Sequence, residues 1–401
     1  MLCRPLEKIR VIDLTNVLSG PFCGHLLAHM GADVIKVEVP GSGDLARQLG
    51  ASPELNKKKM GVSFLAQNAG KRSITINLKS EKGKSLFKKL IAGADVLVEN
   101  FRPGVMDRLG LGFDELKQVN SRLVFCAISG FGATGPLCHQ PAYDQIIQGL
   151  SGVMSITGDS ASAPLRVGYP VADTVGGMSA AFAITSVLAG RGRAGDEAVF
   201  IDVSMLSSIM STMGWVVSNY LIAGKEPQPM GNDNFTASPS GTFRTGNGLL
   251  NIAANKQEQF ETLCRLVGKP EWVADPRFCE RQVRLQNRQD LKELLERQLA
   301  GKSAAEWERE LNRAGVPAGQ VLTVPQALSH PHLSSRGVIG RFDDVPEVGE
   351  VDIFRPGFRL NGVAPQVATP PPLLGQHTDE ILGKMGLSAQ DIADLRAERV
   401  I

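Results

Sequence analysis

Strand-length apolar runs alternate with helix-length segments from residue 10 to residue 129, and few folds accept that order. Arg10-Val11-Ile12-Asp13-Leu14-Thr15 is a short apolar run bounded by turn residues and reads as a buried parallel strand. Ser19-Gly20-Pro21 opens a helix that runs through Leu26, Leu27 and Met30 to Gly31, with proline at its start and glycine at its end. Asp33-Val34-Ile35-Lys36-Val37-Glu38 is the next strand, so a βαβ unit is complete. The pattern continues with strand 73–78, helix 81–91, strand 95–99, a helix near 114–119 and strand 123–129. This predicts an α/β protein built on a doubly wound, Rossmann-like parallel sheet with helices on both faces.

A long helix is expected after Asp173, carrying Gly176, Gly177, Ala180, Ala181, Ala183 and Val187. Being apolar nearly all round, it should be buried. Strand 199–203 and one helix over 206–221 close this part. With 401 residues, two domains are expected. Residues 1–225 form the large one. From about 230 a hairpin with a Gly246-Asn247-Gly248 turn and amphipathic helices near 257–267, 288–299 and 304–314 suggest a small α+β domain over 230–320. Residues 321–401, including Pro370-Pro371-Pro372, read as a return segment whose final helix, near 389–399, packs on the large domain.

Composition narrows the function. Hydrophobic residues make up 43% and charged residues 21%, enough for a large core, and a net charge of +2 argues against nucleic acid as a partner. Cys3, Cys23, Cys126, Cys138, Cys264 and Cys279 form no C-x-x-C pair, as expected of reduced thiols. No apolar run is read as approaching the roughly 18 residues of a membrane span. The chain enters its first strand within about ten residues, which leaves no room for a targeting peptide. The expected location is the cytoplasm.

Asp173, in Gly168-Tyr169-Pro170-Val171-Ala172-Asp173-Thr174, is a helix N-cap in its simplest reading. The same position suits chemistry, because a carboxylate kept ionised at a helix start is a nucleophile needing no base. Gly176 and Gly177 would then let an acyl group approach the backbone. Residues 51–90 hold ten Lys or Arg against two acidic residues, either a solvated face or a phosphate-binding stretch centred on Gly70-Lys71-Arg72. The first βα turn, Asn16 to Pro21, could bind an anion but lacks a G-x-G-x-x-G spacing, and no P-loop pattern occurs. His25 and His29 are four apart without a third ligand, so no metal is expected. Gly158-Asp159-Ser160 is not a G-x-S-x-G elbow.

Taken in order along the chain, several stretches resemble the class III CoA-transferases. They are Val11 to Thr15 with Ser19-Gly20-Pro21, Gly31 to Glu38, Gly70-Lys71-Arg72-Ser73-Ile74, Val98-Glu99-Asn100-Phe101-Arg102-Pro103-Gly104, Ser129-Gly130-Phe131-Gly132, Ala142-Tyr143-Asp144 and Leu373-Leu374-Gly375-Gln376-His377-Thr378. The resemblance implies that Asp173 is the catalytic nucleophile and that Leu18, Lys71, Arg72, Asn100, Phe101 and Arg102 contact coenzyme A. It also implies a homodimer of interlocked rings and an acyl-CoA substrate with no permanently bound cofactor. Val39 and Pro141 stand where formyl-CoA transferase carries cations, and Thr236 to Gly241 holds one glycine where that enzyme has a glycine-rich lid.

The nearest rival is an α-methylacyl-CoA racemase-like enzyme, which needs an acid/base pair. Tyr143 stands at the position of that branch's histidine, and tyrosine is a poor base at neutral pH. A dinucleotide-dependent dehydrogenase and a non-catalytic acyl-CoA-binding protein are the readings from other classes. Stretches 151–158, 219–226 and 370–378 look most like the succinyl-CoA:glutarate (hydroxymethylglutarate) branch, implying a short dicarboxylate acceptor. A distal carboxylate calls for an arginine clamp, with Arg47 and Arg166 as candidates, each of which could equally be a surface arginine.

Overall fold

A computed structural model describes residues 4–193 and 195–401, so Cys3 lies outside the described residues. The chain divides into two compact units, one of residues 1–153, 166–225 and 331–401, the other of 154–165 and 226–330. The short stretch 154–165 thus groups with the second unit, where the Gly231 N–H donates to Gly158 O at 2.7 Å.

In the first unit, strands β1 (Arg10–Leu14), β2 (Asp33–Glu38), β3 (Lys71–Thr75), β4 (Val96–Glu99), β5 (Val124–Ser129) and β6 (Val199–Ser204) form one sheet in the order β3-β2-β1-β4-β5-β6. Every pairing is parallel. The strand order reverses between β1 and β4, which opens a crevice at their C-terminal ends. The helices that matter below are α1 (Ser19–His29), α2 (Glu81–Ala92), α3 (Asp144–Leu150), α4 (Val171–Gly190), α5 (Met205–Thr212) and α6 (Trp215–Ala223), followed by α7 (Thr378–Lys384) and α8 (Ala389–Ala397) in the return segment.

Successive strand residues point to opposite faces, and the core divides accordingly. Ile12, Ile35, Leu97 and Phe125 meet Phe87 and Ile91 of α2, Leu382 of α7 and Ile392 of α8 on one face. Val11, Val34, Val98 and Cys126 meet Cys23 and Leu27 of α1 and Ala180 and Ile184 of α4 on the other. With both faces covered, the strands need no polar alternation.

Four expectations change. β3 begins at Lys71 and ends at Thr75, because the return segment takes over beyond it: the Asn77 N–H donates to Val400 O at 2.7 Å. The helix expected over 206–221 is two, broken at Gly214, whose φ of +50° takes the backbone out of the helical region. Helix α4 is long and apolar enough to cross a membrane by length and composition, although none was expected to be. It is buried on one face only: Ala172, Gly176, Gly177, Ala180, Ala181 and Ile184 are covered, while Phe182 is 76% exposed. The return segment also contains an antiparallel hairpin, β10 (Ile339–Val345) with β11 (Gly349–Phe354), that the sequence reading lacked.

The second unit has its own core. Strands β7 (Ser240–Arg244), β8 (Leu249–Ala253) and β9 (Ala318–Gln320) form an antiparallel sheet, with Gly248 at φ +91° in the expected turn. Phe243, Leu250, Phe260, Leu295 and Trp307 pack together beside it. Within this unit the 236–241 stretch is tied down: Arg281 Nη2 donates to Thr236 O at 2.9 Å and Arg284 Nε to Ser238 O at 2.8 Å.

Candidate active site

Helix α4 begins at Val171, so Asp173 is the third residue of its first turn and not its N-cap. The cap position is Pro170, which has no side-chain acceptor to offer. The first N–H groups are satisfied from another helix: Asp144, at the start of α3, accepts from Ala172 N at 2.8 Å and from Asp173 N at 3.4 Å through Oδ1. Its Oδ2 accepts from Gln148 Nε2 at 2.6 Å and lies 3.5 Å from Arg166 Nη2. The capping role expected of Asp173 therefore belongs to Asp144.

This frees the Asp173 carboxyl, which accepts no hydrogen bond among the described residues. It lines a cavity of about 350 Å³ together with Leu18, Ser19, Asn100, Phe101, Arg102 and Cys138. Burial pushes its pKa up to about 7, and the nearby Asp144 carboxylate adds to the rise. The expectation of a helix-stabilised, fully ionised carboxylate is corrected by these two effects.

The cavity walls come from sheet ends. Asn100, just past β4, grips the first turn in both directions: Asn16 N donates to its Oδ1, and its Nδ2 donates to Asn16 O, each at 2.8 Å. Phe101 N donates to Glu99 Oε2 at 2.7 Å, while burial drives the Glu99 carboxyl up to about 8, so it is mostly protonated at neutral pH. Val17 sits at φ +68°, an uncommon conformation for a β-branched residue, with its N–H held by Asp44 Oδ1 at 2.9 Å. Asp44 is paired with buried Lys36 at 2.9 Å.

Leu18, Asn100, Phe101 and Arg102 thus line one cavity with Asp173. Lys71 and Arg72 do not. As neighbours within β3 they leave the sheet on opposite faces. Lys71 is fully buried, donating to Asp13 Oδ2 at 2.8 Å and to Pro21 O at 2.9 Å, and its positive neighbourhood holds Asp13 at about 2 against the cost of burial. Arg72 makes a forked contact with Asp33, its Nη2 lying 2.7 Å from both carboxylate oxygens, and meets Glu380 at 3.2 Å. Neither presents a free cation to this cavity.

Arg47 is also no substrate clamp. It is 0% exposed, forks onto Glu38 at 2.7 and 2.8 Å, donates to Pro372 O at 3.2 Å and stacks 3.6 Å from the Phe64 ring centroid. Of the two clamp candidates Arg166 is the accessible one: its side chain is 42% exposed and lies 3.5 Å from Asp144 Oδ2. Gly176 and Gly177 serve packing rather than acyl approach. A Cβ on Gly177 would sit 2.4 Å from Ser19 O of α1, and one on Gly176 2.9 Å from Met205 Cγ of α5.

The His25 and His29 rings lie with centroids 4.2 Å apart and planes tilted by 50°, both buried, and burial lowers the pKa of each. No group of three or more His, Cys, Asp or Glu able to hold a metal exists among the described residues. Cys23, Cys126, Cys138, Cys264 and Cys279 are free thiols.

Known proteins resemble this chain over nearly all of its length. The family description "CoA-transferase family III" matches residues 6–378. A succinyl-CoA:glutarate CoA-transferase of Mus musculus is 36% identical over 379 residues, 94% of this chain and 86% of that protein. An acetyl-CoA:oxalate CoA-transferase of Acetobacter aceti is 40% identical over 336 residues, 84% of this chain and 85% of that one. The crystal structure of a CAIB/BAIF family protein from Brucella suis superposes with a TM-score of 0.83 at 34% identity, covering 95% of this chain and 99% of that one. An α/β chain with this sheet, this cavity and this extent of likeness belongs to CoA-transferase family III and is a CoA-transferase.

Proposed function

We propose that the enzyme moves coenzyme A from an acyl-CoA donor to a short dicarboxylic acid, with Asp173 as the covalent carrier. The observation that carries this reading is the Asp173 carboxyl, free of hydrogen bonds and facing the cavity that Leu18, Asn100, Phe101 and Arg102 enclose. Ionised Asp173 attacks the donor thioester carbonyl, giving a mixed anhydride and expelling the CoA thiolate. The thiolate attacks the aspartyl carbonyl, releasing the donor acid and leaving an aspartyl-CoA thioester. The acceptor carboxylate attacks that thioester, and the thiolate then captures the new acyl group and restores Asp173. Each step exchanges one activated acyl bond for another, so atoms and charge balance without a redox partner.

Succinyl-CoA is the proposed donor and glutarate the proposed type of acceptor. Two relatives whose names specify glutarate and oxalate support a dicarboxylate. Arg166, beside Asp144 and half-exposed, is the group that would meet the distal carboxylate. The working unit is proposed to be a homodimer in the cytoplasm. Helices α4 and α6 support the dimer: α6 buries no residue, and Trp215 and Ile222 are 74% and 85% exposed.

The test is replacement of Asp173 with asparagine, which keeps the size and removes the nucleophile. Turnover should fall by about three orders of magnitude or more. In the unaltered enzyme, succinyl-CoA followed by hydroxylamine or borohydride should leave a modified Asp173 detectable by peptide mass. Transfer at the original rate by Asp173→Asn would end the proposal.

A further inference from the structure

β4 ends on Glu99, whose side chain is buried. Its Oε2 accepts the Phe101 N–H at 2.7 Å, within the turn that leaves the strand. The same turn is closed further on, where Val105 N donates to Arg102 O at 3.1 Å and Gly104 takes φ +80°. This stretch carries Asn100, Phe101 and Arg102, which line the Asp173 cavity. Because the Asn100 side chain holds both backbone groups of Asn16, the turn after β4 also sets the turn after β1.

Behind the turn lies a second cavity, of about 290 Å³, which shares Phe101, Arg102, Pro103 and Ser129 with the first. Glu99 lines this rear cavity and not the one that holds Asp173. Phe113, Phe125 and Phe200 wall it, with ring centroids 5.5 to 6.0 Å apart. The charged groups that share it with Glu99 are Asp107, Asp114, Asp202 and one cation, Arg102. Asp114 is paired with Lys117 at 2.6 Å, and Asp202 accepts from Ala133 N at 2.9 Å. The Cys126 thiol, on β5, is the other titratable neighbour. No cation stands within ion-pair reach of Glu99 among the described residues, and burial and Asp107 both act against its charge. A buried carboxyl in such surroundings keeps its proton.

We propose that Glu99 is a positioning residue for coenzyme A transfer: as acceptor for the Phe101 N–H, it fixes the turn that presents Asn100, Phe101 and Arg102 to the acyl-CoA donor. The inference rests on the donor occupying the Asp173 cavity. Glu99 acts through Phe101 and needs no charge to do so, since a protonated carboxyl keeps a carbonyl oxygen as acceptor. Ionised Glu99 is an acceptor too, so donor kcat/KM does not turn down at high pH. The proton marks stability instead. A folded-state pKa of about 8 lies above the ordinary glutamate value of about 4.3, so the unfolded chain releases the proton first and stability falls as pH rises between the two.

The experiment measures KM for succinyl-CoA and for glutarate with the full-length enzyme, Glu99→Met and Glu99→Gln. Methionine keeps the length of the side chain and removes the acceptor, whereas glutamine keeps an acceptor and cannot ionise. Glu99→Met should raise donor KM by about tenfold, the scale of one buried N–H left unpaired, with acceptor KM little changed. Glu99→Gln should recover most of that loss. Partial unfolding would lower kcat and leave both KM values alone, so this split separates positioning from folding. In urea unfolding, the stability of Glu99→Gln relative to the unaltered enzyme should grow from about pH 5 to about pH 8 and then level, a measurement that does not depend on Glu99→Met folding. An unchanged donor KM in Glu99→Met, a glutamine variant as impaired as the methionine one, or a stability difference flat with pH would overturn the proposal. Undiminished transfer by Asp173→Asn would instead count against the proposed function.

Discussion

At Asp173, burial and the Asp144 carboxylate act in the same direction, both favouring the protonated form. A carboxyl whose pKa is raised to about 7 gains its ionised, nucleophilic form only as pH rises through that value. kcat/KM for the donor reports the free enzyme, so it should climb through about pH 7 and then level. Asp144→Asn keeps an acceptor for the α4 N–H groups but removes the neighbouring charge, so the inflection should move to lower pH. A pH–rate series on both enzymes checks this, and an unmoved inflection would remove Asp144 from the account. Arg166→Ala should raise KM for a dicarboxylate acceptor by about tenfold or more while changing donor KM far less. Equal activity on monocarboxylates and dicarboxylates in the unaltered enzyme would sink the dicarboxylate reading. Sequence spacing suggested Asp173 but ranked it as a cap, and only the resemblance raised it to a nucleophile. The residue that does cap the helix lies 28 positions from the N–H it accepts, and a bond from a side chain to a distant backbone leaves no trace in residue pattern.

For single elements, apolar runs were a sound guide wherever a strand is covered on both faces. β1, β2, β4 and β5 stand within a residue or so of their expected places, and so does the edge strand β6, although its Phe200 and Asp202 are exposed. β3 slipped because a lysine and an arginine open it, and a strand starting with two cations reads as a loop until their partners are known. Those partners, Asp13 and Asp33, come from β1 and β2, through contacts that arise only when the sheet assembles. The hairpin β10–β11 is hard to read for another reason: β11 alternates, but in β10 Gly340 and the adjacent Asp343 and Asp344 break the alternation. Helix α4 supplies the sharpest prediction at this scale. Asp144→Ala should leave its first N–H groups without their acceptor and cost about 1 kcal/mol of stability, read by urea unfolding. Activity should fall further than Asp144→Asn causes, because the first turn that carries Asp173 is the part left uncapped.

At the level of the whole molecule, the unexpected exposure of α4 and α6 bears on assembly. Phe182 and Met178 on α4, with Trp215, Leu221 and Ile222 on α6, leave large apolar side chains in water, the pattern of surfaces that pair. Sedimentation should give the mass of two 43.0 kDa chains. Trp215→Ser combined with Ile222→Ser should shift the equilibrium toward single chains by removing about 1.5–3 kcal/mol per apolar side chain buried in the pair. A monomer at micromolar concentration in the unaltered enzyme would dismiss the interlocked dimer.

The opposite charges sealed beneath the first turn carry a further consequence. Asp13 with Lys71, Lys36 with Asp44 and Glu38 with Arg47 lie in a dry layer where a lone ion is far more costly than a matched couple. Removing a single member strands its counterpart, so drift at these sites must proceed by paired exchange. Among sister enzymes, a neutral side chain at one of them should be accompanied by neutralisation at its mate.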